Sequence, residues 1–476
     1  MSGAGEFVSG PLVLRDAAIF TDLYELTMAA SYAREGMTGE ATFSLFVRTL
    51  PARRSFLVAA GLEDALAFLA GFRFSEDALR YLASLRIFDR SFLEGLRDLR
   101  FTGTVRAVPE GTVLFADEPL LEVTAPLIEA QLVETALMNV CHFQTLLASK
   151  AVRPVIAAAG RPVVDFGLRR THGMDAGMKA ARSSWIAGAL MSSNVLAGAA
   201  YGIPPTGTMA HSYVEAFPRE IDAFRAFARA FPSSTTLLID TYDTITAARK
   251  AVEVAREMEA RGERLGGVRI DSGDLVALSR AVRGILDEAG LGYVRIFASG
   301  GLDEDEIERC VAAGAPIDAF GVGTRMDVSA DVPYVDIAYK LVRYAGRDVL
   351  KLSEGKKTWP GPKQVWRVKD GGRFLRDHLA LADEPPPAPG AEPLLSVVMR
   401  DGRRAAPSAP LAAARERCAA QVAALPEEVR RLARAAPYPV HVSERLVALQ
   451  RRLEAQTRAA EVDGYPPADA ALRRTP

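Results

Sequence analysis

The residues able to do chemistry are polar groups that follow short apolar runs. His211 stands in GTMAHSYVEAF, just after one such run, and is one of five histidines in the chain. Asp240 ends the next run, in LIDTYDT. A carboxylate on one imidazole nitrogen fixes the tautomer and leaves the other nitrogen as nucleophile or base. A lone histidine is more often structural, and the carboxylate at a neighbouring strand end favours the chemical reading. Arg269 and Asp271 lie two apart in GVRIDSGDL, so on a strand both side chains point to one face. Such a pair is either a structural salt bridge or a place where an anion is held beside a hydroxyl or a metal.

Arg169 and Arg170 follow Phe166 and Gly167. Guanidinium forks match phosphate oxygens; the alternative is a solvated surface. Ser299, Gly300 and Gly301 close one run, and Gly321, Gly323 and Thr324 close another. Glycine lets backbone N–H groups approach a phosphate, and a following helix N-terminus adds its dipole. Two such loops on consecutive units form a recurrent barrel phosphate site, with ordinary turn glycines as the alternative. Tyr24, in TDLYELTM, is by itself an ordinary aromatic. The chain carries no P-loop, no G-x-G-x-x-G after a strand, no HExxH and no G-x-S-x-G, so any activity rests on dispersed strand-end residues.

These residues need a scaffold that gathers strand ends. Apolar runs at 162–166, 207–210, 236–239, 267–270, 294–298 and 318–322 recur at intervals of about 30 residues, the period of strand–helix units. Helices fit between them, for instance at 246–261 and 274–289. The runs are continuous rather than alternating, which predicts a parallel sheet. Six units suit an α/β barrel, with a doubly wound sheet as the alternative. Before them, helices at 16–34, 62–69, 75–85 and 128–151 mix with strands at 41–48 and 101–123. After Tyr339 come strands at 349–352 and 364–368, then helices over 412–453 interrupted at Pro426, Pro437 and Pro439. The expected domains are 1–150, an N-terminal α+β domain; 151–338, the barrel; and 339–476, strands returning to the N-terminal domain plus a helical tail.

Composition bounds the class. The chain has 476 residues, enough for two or three domains, with 49% hydrophobic and 25% charged residues. With 58 basic and 59 acidic residues, the charge balance gives no ground for nucleic-acid or membrane affinity. Cys141, Cys310 and Cys418 lie far apart without metal or redox spacing, as expected of buried apolar residues in a reducing compartment. The start, MSGAGEFVSGPLVLRD, lacks the basic and apolar regions of a signal peptide. The run 183–203 is too polar and glycine-rich to span a membrane and reads as a packed small-residue helix. A cytoplasmic location is the expectation.

TDLYELTMAASY, FGLRRTHGMDAG, SSNVLAG, GTMAHSYVEAF, LIDTYDT, GVRIDSGDL, FASGG, GVGT and KLSEGKKTWPGPKQVWR occur in that order. Together they resemble the nicotinate phosphoribosyltransferases, over roughly residues 15 to 370. The final hundred or so residues match weakly, and Ala189, Leu190 and Met191 replace a more glycine-rich and polar stretch. The resemblance implies a type II phosphoribosyltransferase: an irregular α/β barrel beside an α+β domain built from the N-terminal region and later strands. It implies a homodimer with sites completed across the interface. The implied reaction condenses nicotinate with phosphoribosyl pyrophosphate, coupled to ATP hydrolysis through a phosphorylated histidine and assisted by Mg2+.

Carried over to this chain, His211 matches the phosphorylated histidine and Asp240 the carboxylate that holds it. Arg269 and Thr208 match groups that hold nicotinate; Phe166 and Tyr24 match the aromatic pair around the ring, Tyr24 coming from the partner subunit. Asp271 matches an acid near the ribose hydroxyls and Arg169 a pyrophosphate contact. Ser299, Gly300, Gly301, Gly321, Gly323 and Thr324 match the ribose phosphate loops. Related nicotinamide enzymes carry an aspartate where this chain has Asn194. A neutral Asn194 facing Arg269 is expected to favour the acid over the amide. The alternatives are a nicotinamide or quinolinate enzyme of the same fold, or a non-catalytic pyridine-nucleotide-binding relative.

Overall fold

Val163, Val164, Leu237, Leu238, Val268, Ile270, Ile296, Phe320 and Val322 are buried, and they lie on strands of one sheet. The strands are β1 (Val163–Asp165), β2 (Met191–Ser192), β3 (Thr236–Leu238), β4 (Gly267–Ile270), β5 (Arg295–Ala298) and β6 (Ala319–Val322). The computed structural model describes residues 16–353 and 358–463. In it the order across the sheet is β2-β1-β6-β5-β4-β3, and every neighbouring pair is parallel. Each strand lies beside the next in sequence, except that β2 and β3 are the two edges, and the last strand pairs with the first. That cyclic order belongs to a barrel, not to a doubly wound sheet, in which the first strand sits beside a middle one. Among the described residues no ladder joins β2 to β3, so the barrel is open there.

Two expectations for the region of the parallel sheet are corrected. Residues 207–210 form no strand. Pro204 and Pro205 just before them cannot donate to a ladder, and the backbone bridge to the sheet falls at Ser192–Pro205. The run 183–203 is not one helix. Helix Met174–Ile186 stops before Gly188, which has φ +113, then β2 follows, and helix Val195–Tyr201 restarts at Asn194.

The helices between strands are started by side-chain caps, each satisfying an orphan N–H of the first turn. Asp243 accepts from Thr246 N at the head of Thr244–Ala260. Asp274 accepts from Val276 N and Ala277 N at the head of Leu275–Glu288. Asp303 accepts from Glu306 N at the head of Glu304–Ala312. Glu304 is itself buried between Lys150 (Nζ–Oε2 2.6 Å) and Arg153 (Nε–Oε1 2.7 Å).

The chain divides into two compact units. One comprises Gln144–Tyr334, which carries the parallel sheet, and Leu411–Ala419. The remaining described residues form the other. Its largest sheet is antiparallel, in the order Arg347–Asp348, Ile337–Tyr344, Glu40–Val47, Pro119–Pro126, Thr104–Ala107, Ser396–Arg400, Arg403–Arg404. Strands from the C-terminal third thus pair with N-terminal ones, from Ala41 opposite Tyr344 to Val47 opposite Ile337, with a register shift between Thr42 and Phe43. A second sheet joins Glu392–Pro393, Lys363–Asp370, Arg373–Leu381 and Val440–Val442. The strand expected at 349–352 is absent, and the short pairing falls at Arg347–Asp348 instead. The N-terminal stretch up to residue 15, the EGKK of residues 354–357 and the terminal residues expected to fray lie outside the described residues. All three cysteines are free and buried. Among the described residues no helix is long and apolar enough to cross a membrane.

Candidate active site

In the parallel register Leu238 sits beside Arg269, Arg269 beside Phe297, and Phe297 beside Ala319. This register puts Arg269 and Phe297 in one row across the sheet. Phe166, one residue past β1, packs edge-on against Phe297 with ring centroids 5.6 Å apart. Gly321 makes room for that ring: a Cβ there would lie 2.7 Å from Phe166 Cδ2. The Arg269 guanidinium stands 5.9 Å from the Phe166 ring centroid. A flat aromatic face and a cation are therefore fixed side by side.

The strand ends open into a cavity of about 610 Å³. Phe166, Arg169, Thr208, His211, Arg269, Asp271, Ser299, Gly300, Gly301, Gly321, Gly323 and Thr324 all line it. Leu168, Arg170, Ser193, Gly207, Met209, Ala210 and Leu302 complete the lining. Gly300 has φ +88, and a Cβ there would meet Asp271 O at 1.6 Å, so only glycine lets the loop cross that close. Ser299 Oγ donates to Asp271 Oδ1 at 2.5 Å, which fixes the carboxylate at the loop. Arg170 Nη1 reaches Thr324 Oγ1 at 3.4 Å.

The charges are unevenly satisfied. Arg269 Nη2 donates to Met209 O at 3.0 Å, while its buried Nε has no partner among the described residues. Burial lowers the Arg269 pKa, opposed by the charges of Asp271 and Asp240. A half-buried guanidinium with a vacant donor is a receptor for an anion. Among the described residues no group of three or more His, Cys, Asp or Glu is arranged to hold a metal ion. The donors in the cavity, isolated carboxylate and hydroxyl oxygens, fit a hard cation that keeps few protein ligands and arrives on phosphate oxygens.

Three of the expected site residues fall elsewhere. Asn194 is buried and does not line the cavity. Its Oδ1 accepts from Ala197 N at 3.0 Å as a helix cap, and its Nδ2 donates to Gly177 O at 3.1 Å. Its amide is spent on local structure, and the neighbouring Ser193 faces the cavity instead. Asp240 is not a lining residue either: its Oδ2 accepts from Asp271 N at 3.0 Å and Ser272 Oγ at 2.6 Å. The group within hydrogen-bond distance of His211 Nδ1 is Thr241 Oγ1, at 3.2 Å. The buried Asp240 Oδ1 has no partner among the described residues. Tyr24 belongs to the other unit, on helix Leu23–Arg34, with 46% of its surface exposed. Burial, then Glu134, pushes its hydroxyl pKa up. Sequence reasoning missed Ser193, Thr241 and Phe297; each adjoins or packs on a residue it did select.

A nicotinate phosphoribosyltransferase of Mycobacterium tuberculosis is 52% identical over 438 residues, 92% of this chain and 94% of its own length. The chain belongs to the nicotinate phosphoribosyltransferase family. Family models agree: the N-terminal domain of nicotinate phosphoribosyltransferase matches residues 19–142, the family itself 162–365, and its C-terminal domain 390–450. A nicotinate phosphoribosyltransferase of Bacillus subtilis is 39% identical over 379 residues, covering 77% of this chain and 76% of that protein. The crystal structure of human nicotinic acid phosphoribosyltransferase matches with a TM-score of 0.82 at 32% identity, covering 91% of this chain and 99% of that one. The open α/β barrel with its second α+β unit is thus the architecture of this family.

Proposed function

We propose that this chain condenses nicotinate with phosphoribosyl pyrophosphate, giving nicotinate mononucleotide and pyrophosphate, and couples the step to ATP hydrolysis through His211. The observation that carries the reading is Arg269. A guanidinium with a vacant donor stands beside the Phe166 face in a cavity rimmed by glycine loops. A flat ring with one carboxylate answers both features, and the loops answer a phosphate. Arg269 and Thr208 hold the carboxylate, and Phe166 holds the ring. Ser299, Gly300, Gly301, Gly321, Gly323 and Thr324 hold the ribose phosphate. Asp271, anchored by Ser299, takes the ribose hydroxyls, and Arg169 takes the pyrophosphate.

Loss of pyrophosphate from the anomeric carbon builds positive charge on the sugar and negative charge on the leaving group. Asp271 stabilises the first and Arg169 the second. The pyridine nitrogen is already a nucleophile, so no strong base is required. Asp271, the carboxylate within the cavity, would hold a magnesium ion, which when bound would supply positive charge to the leaving group. The phosphoryl group for His211 comes from ATP. With Nδ1 turned to Thr241, Nε2 is the nitrogen that takes it. A second copy of the chain brings Tyr24 to the other face of the pyridine.

The test is an assay of purified protein with nicotinate, phosphoribosyl pyrophosphate and magnesium, with and without ATP. Nicotinate mononucleotide that rises with ATP is expected, and no product from nicotinate overturns the reading. In His211→Ala the ATP stimulation is expected to vanish while a basal rate persists. Stimulation that survives in this variant removes the phosphohistidine role.

A further inference from the structure

Directly behind the cavity lie two buried carboxyl groups to which the mechanism above gives no part. Asp165 ends β1, and Asp327 ends the short helix Thr324–Asp327 that follows β6; they are 1% and 3% exposed. Asp165 is well supplied with donors: Oδ1 accepts from Gly167 N at 2.9 Å, and Oδ2 from Ser192 Oγ at 2.6 Å. Asp327 is not, since neither of its buried oxygens receives an N–H or hydroxyl from the described residues. Its carboxyl lies over Gly167, where a Cβ would come within 2.1 Å of Oδ2. Among the described residues the charged group that acts on it is Asp165, within hydrogen-bond reach. On the Asp165 side the neighbours are Gly167 N–H, Ser192 hydroxyl and Asp327.

Two buried carboxyls in contact do not both ionise. Asp165 has the donors that stabilise an anion, so the remaining proton belongs on Asp327, which then donates to Asp165. Burial and the Asp165 charge both push the Asp327 pKa well up.

Three loops that line the cavity are tied to this pair. Phe166 N donates to Val322 O at 2.7 Å, and the segment from Gly167 on carries Arg169 and Arg170. Asp327 N donates to Gly323 O at 3.1 Å, beside Thr324. Ser193 N donates to Asp165 O at 2.8 Å. We propose that Asp327 is a positioning residue: as the neutral acid of a one-proton pair with Asp165, it holds the Phe166–Arg170 loop against Gly323 in the geometry that phosphoribosyl pyrophosphate binding needs. This rests on the substrate reading above. Loss of the proton sets two buried carboxylates against each other and parts the loops.

The first test does not use activity. The infrared difference spectrum of wild type minus Asp327→Asn at neutral pH is expected to contain the carbonyl band of a protonated carboxyl; its absence overturns the proposal. The second test is kinetic. Asparagine still donates to Asp165, so Asp327→Asn keeps KM for phosphoribosyl pyrophosphate within about twofold of wild type. It also flattens the rise in KM that wild type shows toward alkaline pH. Asp327→Ala lacks the donor and raises that KM about tenfold or more, with kcat less affected. Equal losses in the two variants, or an alkaline rise that persists in Asp327→Asn, overturn the proposal. A wild type inactive on nicotinate overturns the substrate reading instead, and the infrared test then decides on the pair.

Discussion

Two arginines, one in each unit, show how differently the same side chain is used. Arg367, in the antiparallel unit, is fully buried. Its Nε and Nη2 bind both oxygens of Asp377 at 2.9 and 2.5 Å, its Nη1 reaches Gln421, and its Nη2 also reaches Val113 O. Phe374 covers its face at 4.3 Å. Arg269, at the end of β4, has one hydrogen bond to a carbonyl and a buried Nε with no partner. A saturated cation holds a fold together, and an unsaturated one is held ready for a ligand. Partner count, rather than residue type, separates the two.

That comparison breaks or sharpens under substitution. The largest effect is expected for Arg367→Met, which leaves Asp377 buried without its counter-ion. Stability falls by about 3–5 kcal/mol in denaturant unfolding, while kcat/KM per folded molecule stays near wild type. An unchanged unfolding midpoint would show that saturation is not what makes Arg367 structural.

Arg269→Met is expected to do the reverse. Loss of a charge-assisted bond to the nicotinate carboxylate costs about 1.5–3 kcal/mol, roughly ten- to a hundredfold in kcat/KM, with no loss of stability. A variant that binds nicotinate normally but melts early would make Arg269 a second Arg367.

Asn194 extends the rule to a polar group. Its amide is saturated by Ala197 N and Gly177 O, so Asn194→Asp should cost about 1 kcal/mol of stability and leave the preference for nicotinate over nicotinamide unchanged. A shift toward nicotinamide would restore the specificity role that the resemblance implied.

A pH-dependent effect concerns Asp117, an intermediate case. Burial outweighs the pull of Arg48 and Lys363 and raises its pKa to about 6. A raised carboxyl pKa means that the fold favours the protonated form. Its stabilisation is present below the unfolded value and is lost as pH rises through about 6. Asp117 has φ 64, which asparagine tolerates. Asp117→Asn should therefore be more stable than wild type above that pH and equal to it in acid. Identical stability profiles would mean that the carboxylate is better solvated than its surroundings indicate.

Much of this molecule is legible in its residues. The buried runs with helices between them gave the parallel sheet, because a strand covered on both faces is apolar throughout. The glycines at 300, 321 and 323 and the arginines at 169 and 269 marked the strand-end loops, because close backbone approach and anion binding restrict residue type. The strand at Met191–Ser192 was hidden inside a small-residue run because two residues carry no period. Asp243, Asp274 and Asp303, each close to a strand end, are helix caps. Nothing in their local sequence distinguishes them from Asp271, which lines the cavity.

By itself, then, the sequence determined the class of element at each strong apolar run, the family, and the short set of residues from which a site is drawn. These are local properties: period, backbone freedom and side-chain chemistry. Only the tertiary structure decided which polar groups are used up and which are left vacant. Asn194 was spent on a cap, Thr241 rather than Asp240 was set beside His211, and Asp327 was laid against Asp165 from 162 residues away in the chain. The reason is that hydrogen-bond saturation and the pKa of a buried acid depend on neighbours brought in from distant segments. Those neighbours exist only once the strands are in register.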